Sequence, residues 1–214
     1  MNNQQQLGFD NLLNSADRIN TARIFERKTG HLPATMEKAL PFYRELIAAH
    51  HAAMIGGDIG EALRLRDEAD RLATRLNNGE PGILANDDAP GCVLERETAA
   101  ATGTIPQWGQ QGDFIIAVGA MRVRIEMDGI CGIGARSSTW PGFAAHAVDS
   151  DRPFLSETGY RRFLGIHADY VPGLTPESFV QGVLAEYVAK TLKGRLLNIE
   201  RRFAKPSSRH GSTP

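Results

Sequence analysis

A chain of 214 residues with 42% hydrophobic and 23% charged side chains has an ordinary globular composition, long enough to bury a core without disulfide or metal staples. It carries no apolar run near the ~18 residues that span a bilayer and no basic or apolar leader at its start, so the expected setting is the cytoplasm, away from membranes. The net charge of −1 hides a segregation: residues 1–78 are neutral, 79–159 carry −6 and 160–214 carry +5.

Residues 1–6 read as a polar tail. A helical rhythm then runs over 7–29 through Leu12, Leu13, Ala16, Ile19 and Ile24, until Gly30 and Pro33 break it. Thr35 suits an N-cap, and Leu40, Tyr43, Leu46, Ile47, His50 and Met54 recur at helical spacing up to Gly56-Gly57. Asp58 and Glu61 form an Asp-x-x-Glu capping box for a further helix, with Asp67 and Arg71 paired on its outside and Asn77-Asn78-Gly79 as its stop. Residues 34–78 are thus a helical hairpin.

The middle of the chain changes character after a turn-rich connector. From Cys92 to about Arg136 the residues favour strands. Phe114-Ile115-Ile116-Ala117-Val118 reads as a buried run, and Gly119-Ala120 suits a type II′ hairpin turn. From Met121 to Met127 the alternation is complete: Met121, Val123, Ile125 and Met127 face inward, while Arg122, Arg124 and Glu126 face water or a partner. Asp128-Gly129 is a second turn, leading to a further strand over 130–135. Residues 140–153 read as a loop, and Ser156 as the cap of a short helix reaching about Leu164. Thr175 and Pro176 open a last helix that extends to about Leu197, followed by a polar tail over 205–214.

These elements predict an α+β fold: an N-terminal helical hairpin, a small antiparallel β-meander and a C-terminal helix packed on the sheet. The organisation is a tail and helix over 1–33, the hairpin over 34–78, an α+β core over 92–200 and a basic tail over 204–214. Cys92 and Cys131 lack zinc spacing and are expected as two buried, reduced thiols.

Chemistry-bearing side chains concentrate in 140–170. His146, Asp149, Asp151, Glu157, His167 and Asp169 are metal-ligand types, and Arg152, Arg161 and Arg162 suit anions. A metal held by His146, Asp149, Asp151, His167 and Asp169 would activate water, with Arg152 or Arg161 steadying an anionic substrate. The HExxH and EF-hand patterns are absent, and Asp149-Ser150-Asp151 ahead of Arg152-Pro153 is also sound turn chemistry. Gly132-Ile133-Gly134-Ala135-Arg136-Ser137 mimics a dinucleotide fingerprint, but Thr139-Trp140-Pro141-Gly142 follows where a helix is required, so no cofactor is expected. Arg44 and His50, six apart on a helix, resemble the Arg–His pair of HEPN-type ribonuclease domains. The hairpin is shorter than that domain, and Glu45 follows the arginine in place of an amide or Asp, so His50 is read as a core-flanking residue.

Two binding surfaces remain. Lys190, Lys193, Arg195, Arg201 and Arg202 line the expected last helix and its end, and with Arg122 and Arg124 they suit phosphates. Trp140, Phe143, Arg152, Tyr160 and Arg161 are residue types that anchor protein interfaces. The expected function is a non-enzymatic binding or regulatory protein acting on a macromolecular partner: another protein, a second copy of itself, or nucleic acid through the basic C-terminal helix. A metal-assisted hydrolase or nuclease centred on His146–Asp169 is the alternative; no catalytic residue is assigned.

Overall fold

Among the described residues, four antiparallel strands in chain order form the sheet on which this protein is organised. The computed structural model describes residues 3–83, 86–132, 140–167, 169 and 171–204, with the side chains of 3–14 and 18 outside that description. Three helices come first: α1 (Asn3–Thr29), α2 (Met36–Gly56) and α3 (Ile59–Leu76). A short α4 (Pro90–Glu97) leads to β1 (Gly112–Val118), β2 (Met121–Met127), β3 (Phe143–Ala147) and β4 (Tyr160–Phe163). The last helix, α5 (Pro176–Glu186), runs into a π-helical turn at Tyr187–Thr191. The class is therefore α+β with a C-terminal helix against an antiparallel sheet.

The hairpin α2–α3 follows its local signals. Gly57 takes the left-handed conformation at φ 77° and ends α2, which runs through Pro41. The Asp58 carboxylate accepts the Glu61 N–H at 3.0 Å, and the Glu61 carboxylate turns to Arg64 instead of back to the cap. Asp67 and Arg71 pair at 3.8 Å. In α1 the helix starts at Asn3, within the stretch expected as a tail, because glutamine and leucine carry no helix-breaking penalty.

Several expectations fail for local reasons. Cys92 lies in α4, not in a strand: Pro90 fits the first helical position, where no N–H is needed, and Leu94 is fully buried. Ser156 caps no helix. Its hydroxyl donates to Tyr160 O at 2.7 Å and accepts Tyr160 N–H at 3.2 Å, closing the turn into strand β4. The expected 140–153 loop contains β3, registered against β2 by Ile125↔Ala145 and against β4 by Ala145↔Arg161. Residues 130–132 leave the sheet as a turn, with Ile130 N–H on Gly109 O at 2.9 Å; the rest of the strand expected over 130–135 lies outside the described residues. The last helix also stops short of Leu197. Lys193 (φ 51°) and Gly194 (φ 76°) both turn left-handed, and Leu197 instead exchanges backbone hydrogen bonds with Phe154.

One buried apolar cluster joins the hairpin to the sheet, from Tyr43, Leu46 and Leu72 to Ile125, Phe143 and Phe179. Trp108 is its hinge point. The indole N–H donates to Leu174 O at 2.8 Å, and the Trp108 N–H donates to His51 Nδ1 at 3.1 Å. His50 Nδ1 lies 2.9 Å from Trp108 O, while His50 Nε2 accepts from Arg66 Nε at 3.1 Å. The latter bond leaves Nδ1 as the protonated nitrogen of a neutral ring. Burial, and then the Arg66 charge, push the His50 pKa down to about 4, so the ring is neutral at physiological pH. The Arg44–His50 resemblance therefore ends at spacing: His50 is a core residue, and the exposed Arg44 reaches the Glu97 carbonyl. Among the described residues no helix is long and apolar enough to cross a membrane.

Candidate interaction face on the outer sheet

Strand alternation sorts the sheet residues into two faces. Phe114, Ile116, Val123, Ile125, Phe143 and Phe163 turn inward to the core. On the outer face, the registers align one row Ile115–Arg124–His146–Tyr160 and a second Asp113–Glu126–Ala144–Arg162. This face stays open to solvent: Ile115 is 54% exposed and Tyr160 43%.

Its polar groups are linked. His146 Nε2 lies 3.1 Å from Glu126 Oε2, so that nitrogen carries the proton and donates; Arg124 approaches the same oxygen at 4.0 Å. The His146 ring packs on Tyr160 at 5.0 Å between centroids. Arg162 Nη2 stands 2.6 Å from both carboxylate oxygens of Asp128, at the end of β2. Burial alone would lower the Arg162 pKa; the Asp128 charge and hydrogen bonds to Asp128 and Tyr160 outweigh it and raise it. Arg122 pairs with Asp149 at 3.4 Å. Each guanidinium of this face thus has a carboxylate, and the face as a whole is near neutral.

Behind its edge lies a second linked group. Glu95 Oε1 accepts the Cys131 N–H at 2.7 Å, and the Tyr43 hydroxyl lies 3.6 Å from Cys131 Sγ. A Cβ on Gly129 would stand 2.1 Å from Glu95 Oε1, so a larger residue there would push this carboxylate from its place against the 128–132 turn. Burial, with the Asp128 charge adding, pushes the Glu95 pKa up to about 7. Cys131 is buried and Cys92 half-buried, and neither is in a disulfide.

The residues singled out by sequence divide accordingly. Arg122, Arg124, His146 and Tyr160 share the outer face. Asp149 is drawn to Arg122, and among the described residues no three His, Cys, Asp or Glu side chains converge as metal ligands; Asp151, His167 and Asp169 stay exposed. Trp140 and Phe143 are core residues, because Trp140 stacks on Phe179 at 4.7 Å and Phe143 on Phe163 at 4.8 Å. Arg161 lies over the Tyr187 ring at 5.0 Å, and Arg152 is exposed. The C-terminal cations do not line one helix. Lys190 sits in the π turn beside Glu186, Lys193 and Arg195 follow the helix end, and Arg201 and Arg202 lie in a later turn, Arg202 paired with Glu200 at 2.7 Å. Most of the Gly132–Ser137 motif and the 205–214 tail lie outside the described residues. Ile115, Asp128 and Arg162 were not singled out for this face. The period of two in YRRF points to Arg162, but over four residues it is faint.

No protein-family model matches the chain, and no solved structure matches it. Two curated proteins from Escherichia coli, each called Protein KlcB, are similar to it. One is 34% identical over 174 residues, covering 80% of this chain and 41% of its own length. The other is 41% identical over 112 residues, covering 51% of this chain and 23% of its own length. The chain thus spans about two fifths or less of these relatives, and their name describes no activity.

Proposed function

We propose that this chain is a non-enzymatic binding or regulatory module that acts on a protein partner, in the cytoplasm, where its two thiols stay reduced. The observation that carries this reading is the uncovered outer sheet face. It sets an exposed isoleucine and an exposed tyrosine on either side of arginines and a histidine. Tyrosine and arginine are the side chains that anchor protein interfaces, and a sheet presents them on a backbone that is already ordered. A protein partner fits better than nucleic acid, because Arg122, Arg124 and Arg162 are each beside a carboxylate that a phosphate would have to displace.

The test is partner capture from cells of origin with the native chain and with an Arg124→Ala, Tyr160→Ala double variant, quantified by mass spectrometry. Both side chains are partly exposed, so the fold is expected to survive. A protein retained by the native chain and lost from the variant supports the reading. Equal recovery by both, or no protein retained by the native chain, contradicts it.

A further inference from the structure

The sheet has a usable edge as well as a usable face. Gln111 O accepts Ala100 N–H at 2.8 Å and Asp113 O accepts Gly103 N–H at 3.0 Å. These carbonyls point away from β2, so every odd-numbered residue of β1 turns its N–H and C=O outward. The 100–103 segment covers only 111 and 113. Ile115 and Ala117 come next, and their outward backbone groups take no partner among the described residues. The usual guards are missing there. No lysine, proline or bulge interrupts 114–118, and the register with β2 is continuous.

An apolar groove of about 400 Å³ begins where this edge ends. Val118 and Met121 form one side, and Ala185, Val188, Ala189 and Leu196 the other. Gly194 completes it, flanked in sequence by Lys193 and Arg195. Both cations are exposed, and neither has an ion-pair partner among the described residues. They differ in this from the paired arginines of the outer face.

We propose that the β1 edge and this groove together dock an extended segment of a partner protein, which adds a strand at Ile115–Ala117, places an apolar side chain in the groove and sets an acidic residue against Lys193 and Arg195. This rests on the reading of the chain as a protein-binding module. Strand addition supplies backbone hydrogen bonds, while the pocket and the charge supply selectivity.

Fluorescence anisotropy tests the site with a short labelled peptide that alternates valine and threonine and ends in two glutamates. The controls are the same peptide ending in lysines and one N-methylated on alternate amides. Two variants of the full chain are compared with the native one. Ala117→Pro removes an N–H that points away from β2, so the ladder within the sheet is kept; Ala189→Leu fills the groove. The expected result is saturable binding of the acidic peptide by the native chain, roughly tenfold weaker in either variant and for either control. Absence of saturable binding, or equal binding by native and variant chains, overturns the site. The same variants go into the partner-capture comparison. A partner retained by Ala117→Pro and Ala189→Leu but lost from Arg124→Ala, Tyr160→Ala overturns the edge site and leaves the protein-binding reading standing.

Discussion

Glu95 shows how a single side chain ties the helices to the sheet. Its carboxylate holds the 128–132 turn through the Cys131 N–H, and its surroundings favour the protonated form, with a pKa near 7 against an ordinary value of 4.5. An acid whose pKa rises on folding stabilises the fold most below its unfolded value, and that contribution is lost as pH rises through the folded value. The window here is about pH 4.5 to 7, with a loss on the order of 3 kcal/mol. Glu95→Gln keeps an acceptor for the turn and cannot ionise. The expected outcome is that the difference in urea midpoint between Glu95→Gln and the native chain moves in the variant's favour from pH 5 to pH 8; a constant difference would show that Glu95 ionises freely. At this scale the sequence was informative only where alternation was long. Met121–Met127 disclosed Arg122, Arg124 and Glu126 as outward-facing. Nothing local disclosed that Asp128 and Arg162, 34 positions apart, meet across the sheet. Trp140 and Phe143 looked like interface anchors because arginines surround them in sequence, while in space their neighbour is Phe179.

Among the elements, those with their own start and stop signals were legible. Asp58 and Gly57 mark the α2–α3 junction, Thr175 and Pro176 open α5, and Gly119 with positive φ makes the β1–β2 hairpin. The strands β3 and β4 were not legible. They span five and four residues, the first is mostly alanine, and the glycines, prolines and Ser156 around them carry stronger turn and cap signals than the strands carry of their own. Element α4 was hidden the same way, at the end of a turn-rich connector and the start of a stretch that favours strands. The helical run of α5 and its π turn ends ahead of Lys193, a residue with a Cβ in the left-handed region at φ 51°, where a side chain is disfavoured by roughly 1–2 kcal/mol. Lys193→Gly is expected to raise the melting temperature, by up to about 1 kcal/mol of stability once the added freedom of the unfolded chain is discounted. A lowered melting temperature would mean that contacts of the lysine stem outweigh the strain.

For the whole molecule, the charge segregation read from the chain is partly consumed within the fold. Arg162 from the basic end closes on Asp128 of the acidic middle, and the outer face that results is nearly balanced. The fold class was legible because α+β follows from a helical hairpin, one clear β-hairpin and one capped helix. The outer face proposed as the binding surface was not, since it requires β3 and β4 to be strands lying beside β2. The proposal of a protein partner over nucleic acid can be tested against nucleic acid directly by one titration. Single-stranded DNA, duplex DNA and RNA of random sequence would be titrated with the full chain at low and high salt, by fluorescence anisotropy. The expected result is no saturable binding at either salt concentration. Micromolar binding that weakens by roughly 0.9 log units per phosphate contact for each log unit of salt, and that is lost in an Arg122→Ala, Arg124→Ala chain, would contradict it.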